Sequence, residues 1–253
     1  MTEVISSPWF VAGIFFVIAA GYSSVGLGGG SSYTALMAIL GFGVLAIPMI
    51  SLTLNLFVTT VGSYNFIRNR HARLKLIIPF LVSSVPMAYL GGALNLEKEM
   101  FQQVLLVSLL FVAARIYIWD DIAIKLETGR TGKRVVALLS GSVLGLVAGS
   151  VGIGGGIYLV PLIIILGLGS EKEAAACGAI FVWLNSLSGL IARLQYNAID
   201  LSDYLPLMIA VMAGGALGSY MGATRFRPDT LQKILGVIII VAIVALSKQL
   251  LSS

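Results

Sequence analysis

Apolar stretches follow one another along almost the whole chain, separated by short polar punctuation. They cover 9–25, 31–46, 47–67, 76–94, 101–119, 135–150, 156–169, 174–194, 204–223 and 231–250. Runs such as ILGVIIIVAIVALS (234–247) and FQQVLLVSLLFVAA (101–114) read as membrane-spanning helices. The longest polar connection, DDIAIKLETGRTGKR (120–134), joins two halves of similar length. The expected organisation is an N-terminal transmembrane repeat (1–119), a cytoplasmic connector (120–134) and a C-terminal transmembrane repeat (135–253).

Composition strengthens the membrane reading. The chain has 253 residues, 58% hydrophobic and 11% charged, with mean hydropathy +1.00. A soluble domain carries roughly 25% charged residues. An integral, multi-pass protein of the cell (inner) membrane is expected. Residues 1–8 hold one acid, Glu3, and no base, so no secretory signal is read there and the first segment is expected to be retained. The net charge of +5 points to basic cytoplasmic loops facing anionic lipid, with no nucleic-acid partner. The single cysteine, Cys177, cannot form a disulfide within the chain. Within AACGAIF it reads as a small packed residue, the alternative being a thiol that faces a substrate.

Two apolar stretches are interrupted at matching places. SSVGLGGGSSYTALMAILG (23–41) and GSVGIGGGIYLVPLIIILG (149–167) each hold three consecutive glycines. Gly26, Gly28, Gly29, Gly30, Leu36, Leu40 and Gly41 align, 126 residues on (26 to 152), with Gly152, Gly154, Gly155, Gly156, Leu162, Leu166 and Gly167. With a small gap Asn55 meets Asn185, and Pro79 and Gly91 meet Pro206 and Gly218. The halves read as a repeat. If each broken unit is a helical hairpin, every Lys and Arg except Lys98, Arg193 and Lys248 falls on one side, taken as cytoplasmic. The basic loop RNRHARLK (68–75) then corresponds to 195–203, which has two aspartates and no base. This makes the repeats inverted. The fold class expected is all-α: two inverted repeats, each a glycine-broken hairpin plus three spanning helices, with both termini non-cytoplasmic.

Irregular backbone at membrane depth survives only when buried in protein or lining a cavity. Each break precedes a new helix start, where main-chain N–H groups are free and the helix dipole is positive. Two such starts near a pseudo-two-fold axis would cradle an anion without a lysine. The candidate substrate-binding residues are Gly28, Gly29, Gly30, Ser31, Ser32, Tyr33 and Asn55 in the first half. In the second they are Gly154, Gly155, Gly156, Tyr158, Trp183, Asn185 and Ser186. For Asn55 and Asn185 a helix-to-helix hydrogen bond stands as the equal alternative. Gly141, Gly145 and Gly149 form a small-residue ridge, and Gly91, Gly214, Gly215 and Gly218 read as packing positions. Arg193 is expected to snorkel to the interface, or else to lend charge to an anion's exit path, and His71 to be solvated in its basic loop.

All eleven acids lie in expected loops or at span ends. A proton- or cation-coupled carrier usually keeps a carboxylate at mid-membrane, so an anion fits better than a metal cation. No catalytic, P-loop, dinucleotide or zinc pattern is present, and neither an enzyme nor a cofactor or metal is expected.

The doubled G-x-G-G-G followed by an apolar run, with Pro161 in GIGGGIYLVPLIIILG, resembles the sulfite exporter TauE/SafE family, as does NSLSGL (185–190). The likeness covers essentially the whole chain. The first copy departs from it, carrying Ala35 where the second has Pro161. The resemblance implies an inner-membrane transporter of a small inorganic or organic sulfur anion such as sulfite, thiosulfate or sulfoacetate. Of the candidates it reaches the two glycine triplets, Asn55's counterpart Asn185, and Ser186. The expected function is export of such an oxyanion by alternating access. A carrier of a carboxylate or metal cation, or a non-transporting scaffold subunit, remains as an alternative. Homo-oligomerisation is left open.

Overall fold

A computed structural model describes residues 8–94, 96–117, 130–196, 204–224 and 229–251, and all regular structure in them is helical. The helices are α1 (Pro8–Ser23), α2 (Gly30–Ile39), α3 (Ala46–Arg68), α4 (Leu74–Ala93), α5 (Lys98–Tyr117), α6 (Arg130–Val151), α7 (Gly156–Ile165), α8 (Glu171–Leu194), α9 (Leu205–Thr224) and α10 (Asp229–Leu251). Each apolar stretch has become one helix. The all-α class holds. Residues 120–129 of the expected connector 120–134 lie outside the described residues, and α6 already begins at Arg130.

Among the described residues, five helices are long and apolar enough to cross a membrane: α3, α4, α8, α9 and, as Thr131–Val151, α6. The glycine-broken hairpin of the second half is lopsided. A 22-residue α6 is joined through the glycine break to a ten-residue α7.

The local repeat is close. Both α2 and α7 have ten residues and begin after a glycine in the left-handed region. Both end in the same reversal. Gly41 N–H bonds Ala38 O and Phe42 N–H bonds Met37 O, as Gly167 bonds Ile164 O and Leu168 bonds Ile163 O. This six-to-one, five-to-two pattern satisfies the last carbonyls and stops each helix. The start of α8 is fixed by a capping box between Ser170 and Glu173.

The two halves embrace. Helix α1 runs along α9, and α6 runs along α4. A Cβ on Gly141, Gly145 or Gly149 would overlap or crowd the carbonyl oxygen of Phe80, Ser84 or Ala88 respectively. Gly214, Gly218 and Gly222 face the carbonyls of Phe16, Ala20 and Ser24 in the same way. Glycine every fourth residue thus sits opposite carbonyls every fourth residue, and the backbones approach as they do in tight membrane helix pairs. Between the seams lie α3 and α8, running antiparallel: Leu52 reaches Gly189, Thr60 meets Trp183, and Gly62 faces Ala179.

Candidate functional site

The two breaks are the places where α2 and α7 begin. Gly29 (φ 94°, ψ 3°) and Gly155 (φ 79°, ψ −10°) cap them in the left-handed region, which a side chain would strain. The first main-chain donors used in α2 are Ser32 and Tyr33, both to Gly29 O; in α7 they are Tyr158 and Leu159, both to Gly155 O. The N–H groups of residues 28–31 and 153–157 have no hydrogen-bond acceptor among the described residues, and all nine residues are buried. Buried N–H groups without a partner are rare in folded proteins. Two clusters of them, each at the positive end of a helix, form a donor-rich and positively polarised region.

The clusters adjoin. A Cβ on Gly30 would lie 2.5 Å from the carbonyl oxygen of Ile153. Asn55, fully buried in α3, stands between them. A Cβ on Gly28 would overlap its Oδ1, while Cβ atoms on Gly30 and Gly154 would lie 2.6 and 2.8 Å from its Nδ2. That Nδ2 donates to Gly152 O (3.4 Å), and Ser51 Oγ donates to the same carbonyl (2.7 Å). Helix α3 of one half thereby holds the break of the other. Ser186 Oγ joins the group, 3.4 Å from a Cβ on Gly154.

Buried side-chain oxygens or nitrogens without a partner among the described residues are Tyr33 OH, Asn55 Oδ1, Ser63 Oγ, Ser84 Oγ, Asn185 Oδ1 and Ser186 Oγ. Four of these belong to residues named from the sequence. Tyr33 stacks on Phe15 (5.1 Å), and its ring covers Gly29. Asn185 donates Nδ2 to Phe181 O of its own helix (2.8 Å) and leaves Oδ1 bare.

Ser31 is buried at the start of α2; its N–H belongs to the first cluster and its carbonyl accepts from Thr34 Oγ1. Other named side chains turn away. Ser32 Oγ bonds Tyr22 OH of α1 (3.0 Å). Tyr158 donates to Ser108 O of α5 (3.1 Å) and packs on Phe111. Trp183 is half-buried and donates to Thr60 Oγ1 (2.8 Å). The neighbouring Val182 is the α8 side chain that walls the breaks, within contact of Cβ positions on Gly28, Gly154 and Gly156. Ser51 and Val182 were not among the candidates. Ser51 lies one helical turn before Asn55, a spacing the sequence shows; Val182 gives no such signal.

Arg193 does not snorkel. It is 3% exposed, and Nε and Nη2 donate to Gly149 O (3.3 and 3.1 Å) and Ser150 O (2.5 Å). It caps the carbonyl end of α6, where a cation is favoured by the dipole. His71 is tied down rather than merely solvated, with Nε2 3.3 Å from Ala223 O, a carbonyl that also accepts from Lys172 (3.4 Å). Cys177 is packed, its Sγ 3.9 Å from Arg73 O. Of the acids, Glu97, Glu99, Glu171, Glu173 and Asp229 lie at or beside helix starts; the rest fall outside the described residues. A cavity of about 340 Å³ opens elsewhere, beside Phe42, Lys98, Phe101 and Gln102, and includes none of the named residues.

Comparison with known proteins agrees on what kind of chain this is. The family model for Sulfite exporter TauE/SafE matches residues 11–246. A probable membrane transporter protein, y4hK, of Sinorhizobium fredii is 35% identical over 234 residues, covering 90% of this chain and 93% of its own. A probable membrane transporter protein, YjnA, of Bacillus subtilis is 25% identical over 232 residues, covering 86% and 91%. No solved structure matches the chain.

Proposed function

The chain belongs to the sulfite exporter TauE/SafE family of membrane transporters, and we propose that it exports a small oxyanion, sulfite or an organosulfonate, by alternating access. The observation that carries this reading is the pair of buried, partnerless N–H clusters at the starts of α2 and α7. Main-chain donors there would bind an oxyanion's oxygens, with the helix dipoles supplying charge. Glycine admits the ligand because no Cβ intervenes. Asn55 and Ser186 line the same place.

The mechanism follows from an inverted pairing of the repeats. In support, the equivalent helices α3 and α8 run antiparallel, and they carry the paired Asn55 and Asn185. The α1–α9 and α4–α6 seams are reciprocal. Rocking of one half against the other would open the breaks first to one side and then to the other. In such a cycle the buried breaks would be the occluded form. With the basic loops cytoplasmic, both termini face the other side of the inner membrane, and the sulfur anion is the partner alongside lipid.

The test is exchange in proteoliposomes of purified protein. Labelled sulfite or a sulfonate should exchange well above the rate in empty liposomes. Exchange at the empty-liposome rate for every small oxyanion would refute the proposal.

A further inference from the structure

The donor cradle contains an acceptor that does not belong in a site for a bare anion. Asn55 Oδ1 is buried, has no partner among the described residues, and lies against Gly28 of the first N–H cluster. The orientation of the amide is set by its surroundings. Nδ2 faces the carbonyl of Gly152, and turning the group over would bring two acceptor oxygens together. Asn185 is fixed in the same sense by Phe181 O, so its Oδ1 is bare too. An amide oxygen can only accept. A fully deprotonated sulfite offers only acceptors and would repel it, and burying an unsatisfied acceptor is costly.

An occupant that satisfies both sets must bring oxygens for the N–H groups and a hydrogen for the amide. We propose that the site takes its oxyanion in a form carrying an O–H, bisulfite or a hydroxyalkylsulfonate, with that hydrogen donated to Asn55 Oδ1. Sulfite would then travel as its singly protonated monoanion. This rests on the anion-site reading above and narrows its substrate class. Ser186 Oγ, which can donate or accept, adjusts to either ligand.

The discriminating pair is 2-hydroxyethanesulfonate and ethanesulfonate, which share a charge at every working pH and differ by the hydroxyl. Purified full-length protein in nanodiscs is titrated with each, and with sulfite across the pH range in which bisulfite loses its proton. The hydroxylated sulfonate should bind roughly 10-fold or more tightly, since one hydrogen bond in an otherwise unsatisfied polar site is at stake. Sulfite affinity should fall as pH rises through that range. Asn55→Leu should bring the sulfonate ratio close to one; should that variant not fold, the two wild-type series decide alone. Equal affinity for the two sulfonates with pH-independent sulfite binding would overturn the inference and leave the anion site standing. A sodium requirement in place of the hydroxyl preference would also overturn it, a cation then satisfying the amide oxygens. Binding of neither sulfonate nor sulfite would refute the anion site and this inference with it.

Discussion

Gly30 of α2 and Ile153 of the second break touch across the two halves of the protein, with only 2.5 Å between the glycine's Cβ position and the isoleucine's carbonyl oxygen. The same Cβ position lies 2.6 Å from Asn55 Nδ2. The breaks therefore adjoin at one place, built by residues from both halves of the chain.

Gly30→Ala should abolish transport. The added methyl meets backbone on one side and the Asn55 amide on the other, and overpacking of this kind costs about 1–3 kcal/mol. Gly13→Ala, in α1 with nothing within 4 Å of its Cβ position, serves as control and should transport normally. Proteoliposome exchange and thermal unfolding of both variants check this. A Gly30→Ala protein with the control's exchange rate would contradict the site.

The α4–α6 seam should behave as structure alone. Gly145→Ala drives a methyl into the Ser84 carbonyl, backbone that cannot yield cheaply. A loss of about 1–3 kcal/mol is expected, seen as a lower Tm, with KM unchanged in the folded fraction. A raised KM at unchanged Tm would show that the seam reaches the transport site.

Arg193→Met uncovers the carbonyls of Gly149 and Ser150. A buried group left unsatisfied costs about 1–3 kcal/mol, so Tm should drop clearly. Arg193→Lys should recover only part, because an ammonium lacks the planar fork that spans two carbonyls. Thermal unfolding of the two variants beside wild type checks the order. Full recovery by lysine would mean that charge, not the fork, is what α6 requires.

Trp183→Phe and Tyr158→Phe should leave KM within about twofold of wild type. Their polar atoms bond Thr60 and Ser108, away from the breaks. Hydrogen bonds between membrane helices average about 0.6 kcal/mol, so the stability cost is also small. Transport kinetics of the two variants decide; a tenfold rise in KM for either would extend the site along α8 or α7.

These two aromatics mark the limit of what the sequence shows. Apolar runs set where helices form, so the ten segments were legible, and the glycine triplets showed where two of them break. The spacing of 126 residues identified partners that share a backbone conformation, Gly26 with Gly152 (φ 75° and 82°) and Gly29 with Gly155. What spacing does not state is which neighbour a helix face will meet. Ser186 and Trp183 lie on the same helix near Asn185, yet only Ser186 reaches the breaks. Arg193 was misjudged for the same reason. Its partners are the end of α6, some forty residues earlier, and a long basic side chain near a helix end reads as interfacial until that contact is known. The exchange of α1 onto α9 and α6 onto α4 is equally absent from any local pattern, although small residues of both seams read as packing positions, Gly141, Gly145 and Gly149 in one and Gly214 and Gly218 in the other.

The most direct test of the anion cradle is to locate a heavy analogue of the substrate. Selenite, bound to the purified protein and located by its anomalous scattering, should give a peak between residues 28–31 and 153–157, within hydrogen-bonding reach of their N–H groups and beside Asn55. A selenite peak confined to other parts of the molecule, with these two segments closed on each other, would contradict it.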